Sequence, residues 1–176
     1  MTIPPVTERG VLGANAQQLR TDMSPARAWN VILCPPMKTL LVGVDDSEAA
    51  RHAAKTAAEL ALPTGSSLTL VYVSTPILLP AAAYADVIDR LVADERKHAS
   101  ALLEREKAAV ARPGLEVKLH HAEGAPAETF AALAEAPDVW MAVVGSRGRN
   151  AVTRVLLGSF ADRVVHVCRK PVLVVR

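Results

Sequence analysis

Five short apolar runs, separated by stretches of helical periodicity, constrain this chain more than any other feature of its sequence. Thr39-Leu40-Leu41-Val42-Gly43-Val44, Leu68-Thr69-Leu70-Val71-Tyr72-Val73 and Val139-Trp140-Met141-Ala142-Val143-Val144 are close to continuously apolar, the texture of strands buried on both faces. Leu115-Glu116-Val117-Lys118-Leu119-His120 alternates strictly and marks a half-exposed strand, and Val172-Leu173-Val174-Val175 is the last run. Between the first two runs Ser47 caps a helix whose Ala50, Ala53, Ala54, Ala57, Ala58, Ala61 and Leu62 form an apolar stripe, broken at Pro63-Thr64-Gly65-Ser66. A long helix is predicted from about Tyr84 to Ala111, with Ile88, Leu91, Val92, Ala99, Leu102 and Leu103 on one face. Its charges, Asp94 to Lys97 and Glu104 to Lys107, are read as the solvated side. Pro126 opens a short helix through Glu135, and a last helix starts near Gly158.

This alternation predicts an α/β fold: one open, parallel five-stranded sheet with helices on both faces and right-handed crossovers. The alternating third strand belongs on an edge and the continuous runs inside, which gives the order 3-2-1-4-5. Winding then reverses between strands one and four, and ligands of open α/β sheets bind at the carboxyl ends of strands at such a reversal.

Composition narrows the class. Hydrophobic residues make up 51% of the chain but aromatics only 3%, so the core is built of Ala, Val and Leu. A formal net charge of +2 supplies no strong field for nucleic acid or an anionic membrane, and neither is expected as a partner. Cys34 and Cys168 match no metal spacing and fit a reduced, cytoplasmic compartment. No stretch approaches the ~20 apolar residues of a membrane span, and Pro4, Pro5, Glu8 and Arg9 interrupt any leader-like run. Residues 1–36, rich in Pro and without sustained period, are read as a flexible extension ahead of a domain over 37–176. They are expected to be dispensable for its fold unless Trp29, Ile32 and Leu33 dock on it.

Two polar clusters fall at the predicted crevice. Asp45-Asp46-Ser47 follows strand one, Gly145-Ser146-Arg147-Gly148 follows strand four, and Gly158-Ser159 opens the next helix. Strand-end glycines let backbone N–H groups converge on phosphate oxygens. The helix start adds unpaired N–H groups and the positive end of its dipole. Arg147 and Arg149 add charge to the loop, and Asp45 can accept from ribose hydroxyls. Any one of these could be a turn or a solvated side chain; together at one reversal point they describe a nucleotide pocket.

The same residues carry a family resemblance. Val42-Gly43-Val44-Asp45-Asp46-Ser47-Glu48, Glu123-Gly124-Ala125-Pro126-Ala127-Glu128 and Val143-Val144-Gly145-Ser146-Arg147-Gly148, followed at nine residues by Gly158-Ser159, resemble the universal stress protein family from Lys38 to Arg176. The Gly-x2-Gly-x9-Gly-Ser spacing is similar to the signature of that family's ATP-binding branch, whose fold is adenine-nucleotide alpha-hydrolase-like. The resemblance implies that Gly145 and Gly148 wrap ribose and phosphates, and that Gly158 and Ser159 hold the phosphates. It further implies that Asp45 contacts the ribose and that Val73 meets adenine through its backbone. It implies a stress-response regulator that binds ATP without rapid turnover, acts on a client protein and has no catalytic or resident metal residue. Asp46, where the family often has a small residue, is expected to weaken phosphate binding or to favour a magnesium ion with the ATP. Strand five, an uncharged edge, is expected to pair with its copy in a homodimer, as the resemblance also implies.

Rival readings fit less well. A phospho-receiver domain needs an Asp ending strand three, where this chain has His120-His121-Ala122-Glu123. A P-loop ending in Gly-Lys-Ser/Thr is absent, as is a pyrophosphate loop of Ser-Gly-Gly type. A slow ATPase or nucleotide-dependent enzyme of the same fold, and a sensor of AMP or a cyclic nucleotide, remain as alternatives. Adjacent His120 and His121 point to opposite faces of a strand and make a poor chelate.

Overall fold

The computed structural model of the chain describes residues 38–76, 81–147 and 157–176. Strands β1 (Thr39–Gly43), β2 (Ser67–Ser74), β3 (Val117–Glu123), β4 (Val139–Gly145) and β5 (Val172–Val175) form one parallel sheet in the order β3-β2-β1-β4-β5. Helices α1 (Glu48–Thr64), α2 (Ala81–Val110), α3 (Pro126–Ala134) and α4 (Ser159–Val167) alternate with them. This is the expected strand order, and its cause is legible in burial. Every residue of the central strand β1 is buried, whereas β3 at one edge is half-buried or exposed throughout.

Alternation along the strands divides the core between the two faces. Leu40, Val42, Leu68, Leu70 and Val143 pack with the alanines of α1 and with Leu102, Leu103 and Val110 of α2. On the other face Leu41, Val71, Ala142 and Val144 pack with Phe130 of α3 and with Ala161 and Val164 of α4. The alanine stripe of α1 leaves little side-chain bulk between helix and sheet, so backbone lies near backbone. At the amino ends of the strands, the Thr39 hydroxyl donates to Asp138 Oδ2 at 3.0 Å and meets Ser67 Oγ at 3.1 Å.

Three local features differ from expectation. α1 runs past Pro63, because that proline sits in the last turn and its missing N–H deprives only the carbonyl of exposed Glu59. Thr64 Oγ1 donates back to the Leu60 carbonyl at 2.8 Å, and Gly65, at φ 63°, closes the helix in the left-handed conformation. β3 begins at Val117 and continues to Glu123, since the turn after Pro113-Gly114 uses Leu115, whose N–H donates to the Arg112 carbonyl. Glu106, expected on the solvated side of α2, is 1% exposed. It falls on the helix stripe of Ala99, Leu102, Leu103 and Val110, and Arg105 neutralises it with Nε and a terminal guanidinium nitrogen 3.2 and 3.1 Å from its Oε1.

The last residue of β4 runs directly against the first turn of α1. A Cβ on Gly145 would lie 2.6 Å from the Ala49 carbonyl carbon and 2.7 Å from the Ala50 nitrogen, both backbone atoms that cannot swing aside. Only a residue without a side chain permits that approach. Gly145→Ala is expected to destabilise the fold by about 1–3 kcal/mol. In urea unfolding this reads as a lower midpoint with an unchanged denaturant slope.

Candidate nucleotide site

β1 and β4 are neighbours, yet their chains leave for opposite faces: β1 leads into α1, and β4 leads through a loop to α4. The gap opened at their carboxyl ends is a cavity of about 420 Å³, within the range of small-ligand sites. Asp45, Val73, Gly145, Arg147, Gly158 and Ser159, all singled out from the sequence, line it together. Gly148 and Arg149 lie outside the described residues.

The turn after β1 sends three consecutive side chains in three directions. Asp45 reaches the cavity wall, and its Oδ1 accepts from the Ser47 N–H at 2.9 Å. Ser47 caps α1 by accepting from the Ala50 N–H at 3.1 Å, and its hydroxyl donates to the Arg147 carbonyl at 3.2 Å. That bond ties the turn after β1 to the loop after β4 across the mouth of the gap. Asp46 does not line the cavity: its Oδ1 accepts from Arg105 at 2.8 Å and its Oδ2 lies 3.3 Å from His98 Nε2, both on α2. The carboxylate expected near phosphates is thus turned onto a helix. Together with Glu106 it raises the pKa of the Arg105 guanidinium, the hydrogen bond that Arg105 donates to Asp46 being the larger cause.

β2 extends beyond the end of β1. Val44 N–H donates to the Val71 carbonyl, so Val71 and, two residues on, Val73 turn their backbone groups toward β1, while the Ser74 carbonyl accepts from Gly124 on the β3 side. Since β1 ends opposite Val71, the N–H and C=O of Val73 face the cavity rather than a strand.

On the far wall, the Gly158 N–H is already engaged: it donates to the Ser146 carbonyl at 2.8 Å, while the Ser146 N–H donates to Val175 at 2.6 Å. The groups left for a ligand at the start of α4 are the N–H groups of Ser159, Phe160 and Ala161, which precede the first intrahelical bond, from Asp162 to the Gly158 carbonyl. Ser159 is exposed and adds its hydroxyl. Gly145 lines the cavity, but its missing Cβ serves the contact with α1, a packing role that the glycine spacing did not reveal.

Sequence reasoning missed the floor. Phe130 and Phe160, the only phenylalanines in the chain, meet edge to face at 5.6 Å between ring centres under Gly43, whose position leaves 3.2 Å between a modest added Cβ and the Phe160 ring. Their scarcity was the available signal. Thr75 and Pro126 complete the rim. Away from the cavity, Arg163 donates to Glu128 at 2.8 Å and holds that carboxyl below its ordinary pKa. Among the described residues no helix is long and apolar enough to cross a membrane.

The model of the Universal stress protein family matches residues 36–176. Universal stress protein MJ0531 of Methanocaldococcus jannaschii is 30% identical over 142 residues, 79% of this chain and 82% of that protein. The structure of Universal stress protein UspA from Lactobacillus plantarum superposes with a TM-score of 0.72 at 28% identity, over 81% of this chain and 99% of that one. Two more distant chains share the fold. A universal stress protein in complex with cAMP has a TM-score of 0.58 at 24% identity, covering 81% of this chain and 99% of its own. The Archaeoglobus fulgidus protein in complex with dAMP has 0.56 at 22%, covering 80% and 98%. With a family match that spans the whole sheet and every described residue of the cavity, this chain belongs to the universal stress protein family.

Proposed function

We propose that the chain is an ATP-binding regulatory protein of the stress response that holds its nucleotide without rapid turnover. The observation that supports this best is the meeting, in one cavity, of a carboxylate, an unclaimed strand-end backbone, a cation and a helix N-terminus. Asp45 accepts from the ribose hydroxyls. The Val73 N–H and C=O offer adenine one donor and one acceptor, the complement of its ring nitrogen and amino group. Ser159 and the first N–H groups of α4 receive the phosphates, with Arg147 supplying charge and Gly148 the room for close approach. Magnesium enters with the triphosphate as its chelate. Turnover is slow because Asp45 is given to the ribose and Asp46 is turned onto Arg105 and His98, which leaves no carboxylate among the described residues to activate a water at the phosphates.

Calorimetry with ATP is expected to give micromolar affinity, about −8 kcal/mol. Gly158→Val and Gly148→Val are expected to abolish it, since a branched side chain fills the phosphate space. Unchanged binding in both variants would refute the assignment, and sustained turnover near ~10 s⁻¹ would make the chain an enzyme. A sensor of AMP or a cyclic nucleotide is the second reading, favoured by the cAMP and dAMP complexes solved for two proteins of this fold. Titrating AMP and cAMP beside ATP decides it, the tighter ligand naming the class.

The assembly proposed is a homodimer through β5. That strand is on the sheet edge, carries no charge, and keeps all four residues half-exposed. Pairing it with a second copy about a two-fold axis covers both the backbone edge and the valines. Val172→Lys with Val174→Lys is expected to split the dimer while the monomer stays folded, since lysine at half-exposed sites can carry its charge out to water. Light scattering that finds the unmodified protein monomeric at tens of micromolar would rule the dimer out.

A further inference from the structure

We infer that His98, Asp46 and Arg105 form an ionic bracket through which α2 holds the Asp45–Ser47 turn in shape, making His98 and Arg105 positioning residues for the cavity. Four observations carry this. Asp46 is bound on both carboxylate oxygens by α2, at 2.8 Å from Arg105 and 3.3 Å from His98. Its chain neighbours are the two residues that shape the site, Asp45 on the wall and Ser47 on the Arg147 carbonyl. Arg105 is itself anchored from below by Glu106, whose burial fixes one end of the bracket in the core. Finally, α2 packs on β2, β3 and α1, so the bracket joins the turn to the body of the fold.

A turn of three residues has several shapes of similar energy, and ordering it costs conformational entropy. The Asx-type bond from Ser47 to Asp45 and the cap at Ala50 fix part of it. The bracket fixes the residue between them. The charged and titratable groups around His98 are Asp46 from the turn, Arg105 on its own helix acting through Asp46, and Tyr72 of β2. The Tyr72 ring meets His98 at 6.0 Å, and Tyr72 in turn bonds Glu95 of α2 and stacks on His121 of β3.

With the cavity read as a nucleotide site, as above, two measurements on the full chain test the bracket separately from its ligand. The first is amide hydrogen exchange at Ser47 and Ala50 without nucleotide. Asp46→Asn keeps the Arg105–Glu106 pair and the side-chain shape, and is expected to speed exchange at both amides roughly two- to five-fold, within the span of partly exposed charge contacts. Arg105→Lys, which keeps the charge, is expected to recover part of the protection lost in Arg105→Ala. His98→Gln, which removes one of the two arms, is expected to speed exchange less than Asp46→Asn does. Exchange unchanged in Asp46→Asn, or no recovery in Arg105→Lys over Arg105→Ala, overturns the bracket. The second measurement is ATP titration, where Asp46→Asn is expected to bind roughly two- to five-fold more weakly. If ATP binds the unmodified chain and Asp46→Asn equally, the positioning role is overturned. If ATP binds neither while exchange responds as stated, the nucleotide reading fails and the bracket stands.

Discussion

Two adjacent parallel strands whose chains must leave in opposite directions set the terms for this molecule. β1 and β4 are held in register by backbone hydrogen bonds and buried almost throughout, so neither can bend away until its last residue. One then feeds a helix on one face and the other a helix on the opposite face, which leaves a gap that the core's side chains do not fill. The amino ends have no such conflict, and Thr39, Ser67 and Asp138 close them with a compact set of hydrogen bonds. The asymmetry between a tied end and an open end is a property of the winding, and the residues at the open end decide what the gap holds.

Those residues divide into ones that face the cavity and ones that hold the walls. Ser47 and Gly145 belong to the walls: one bridges the two sides through the Arg147 carbonyl, the other lets β4 touch α1. Val73 and Ser159 face inward with groups that no strand or helix has claimed, and Asp45 lines the cavity with one oxygen held by the Ser47 N–H. Asp46 belongs to neither set, and its engagement by α2 leaves a single carboxylate at the cavity where the sequence offers two in a row.

Strand order was legible because burial on two faces and burial on one face leave different sequence textures, and Leu40–Val42 against Glu116–Lys118 shows both. The inward glycines, Asp45 and the helix start were legible because they follow strand ends, where chain reversal restricts the residue types allowed. Glu106 was misread because a helix face was judged by charge rather than by its place on the stripe with Leu102, Leu103 and Val110. The partners of Asp46 were invisible for another reason: they lie about fifty residues away on a helix whose rotation over the sheet no local pattern specifies. The engagement of the Gly158 N–H was likewise hidden, since spacing locates a glycine without saying which acceptor its backbone will find.

That last bond has an evolutionary consequence. By joining the Ser146 carbonyl to the Gly158 N–H, the fold brings the two ends of the connection between β4 and α4 together independently of what lies between them. Closure entropy grows only slowly with length, each doubling adding about 0.6 kcal/mol. The intervening stretch can therefore lengthen, shorten or change composition with little penalty to the sheet beneath. The length of that stretch is thus something the core does not set.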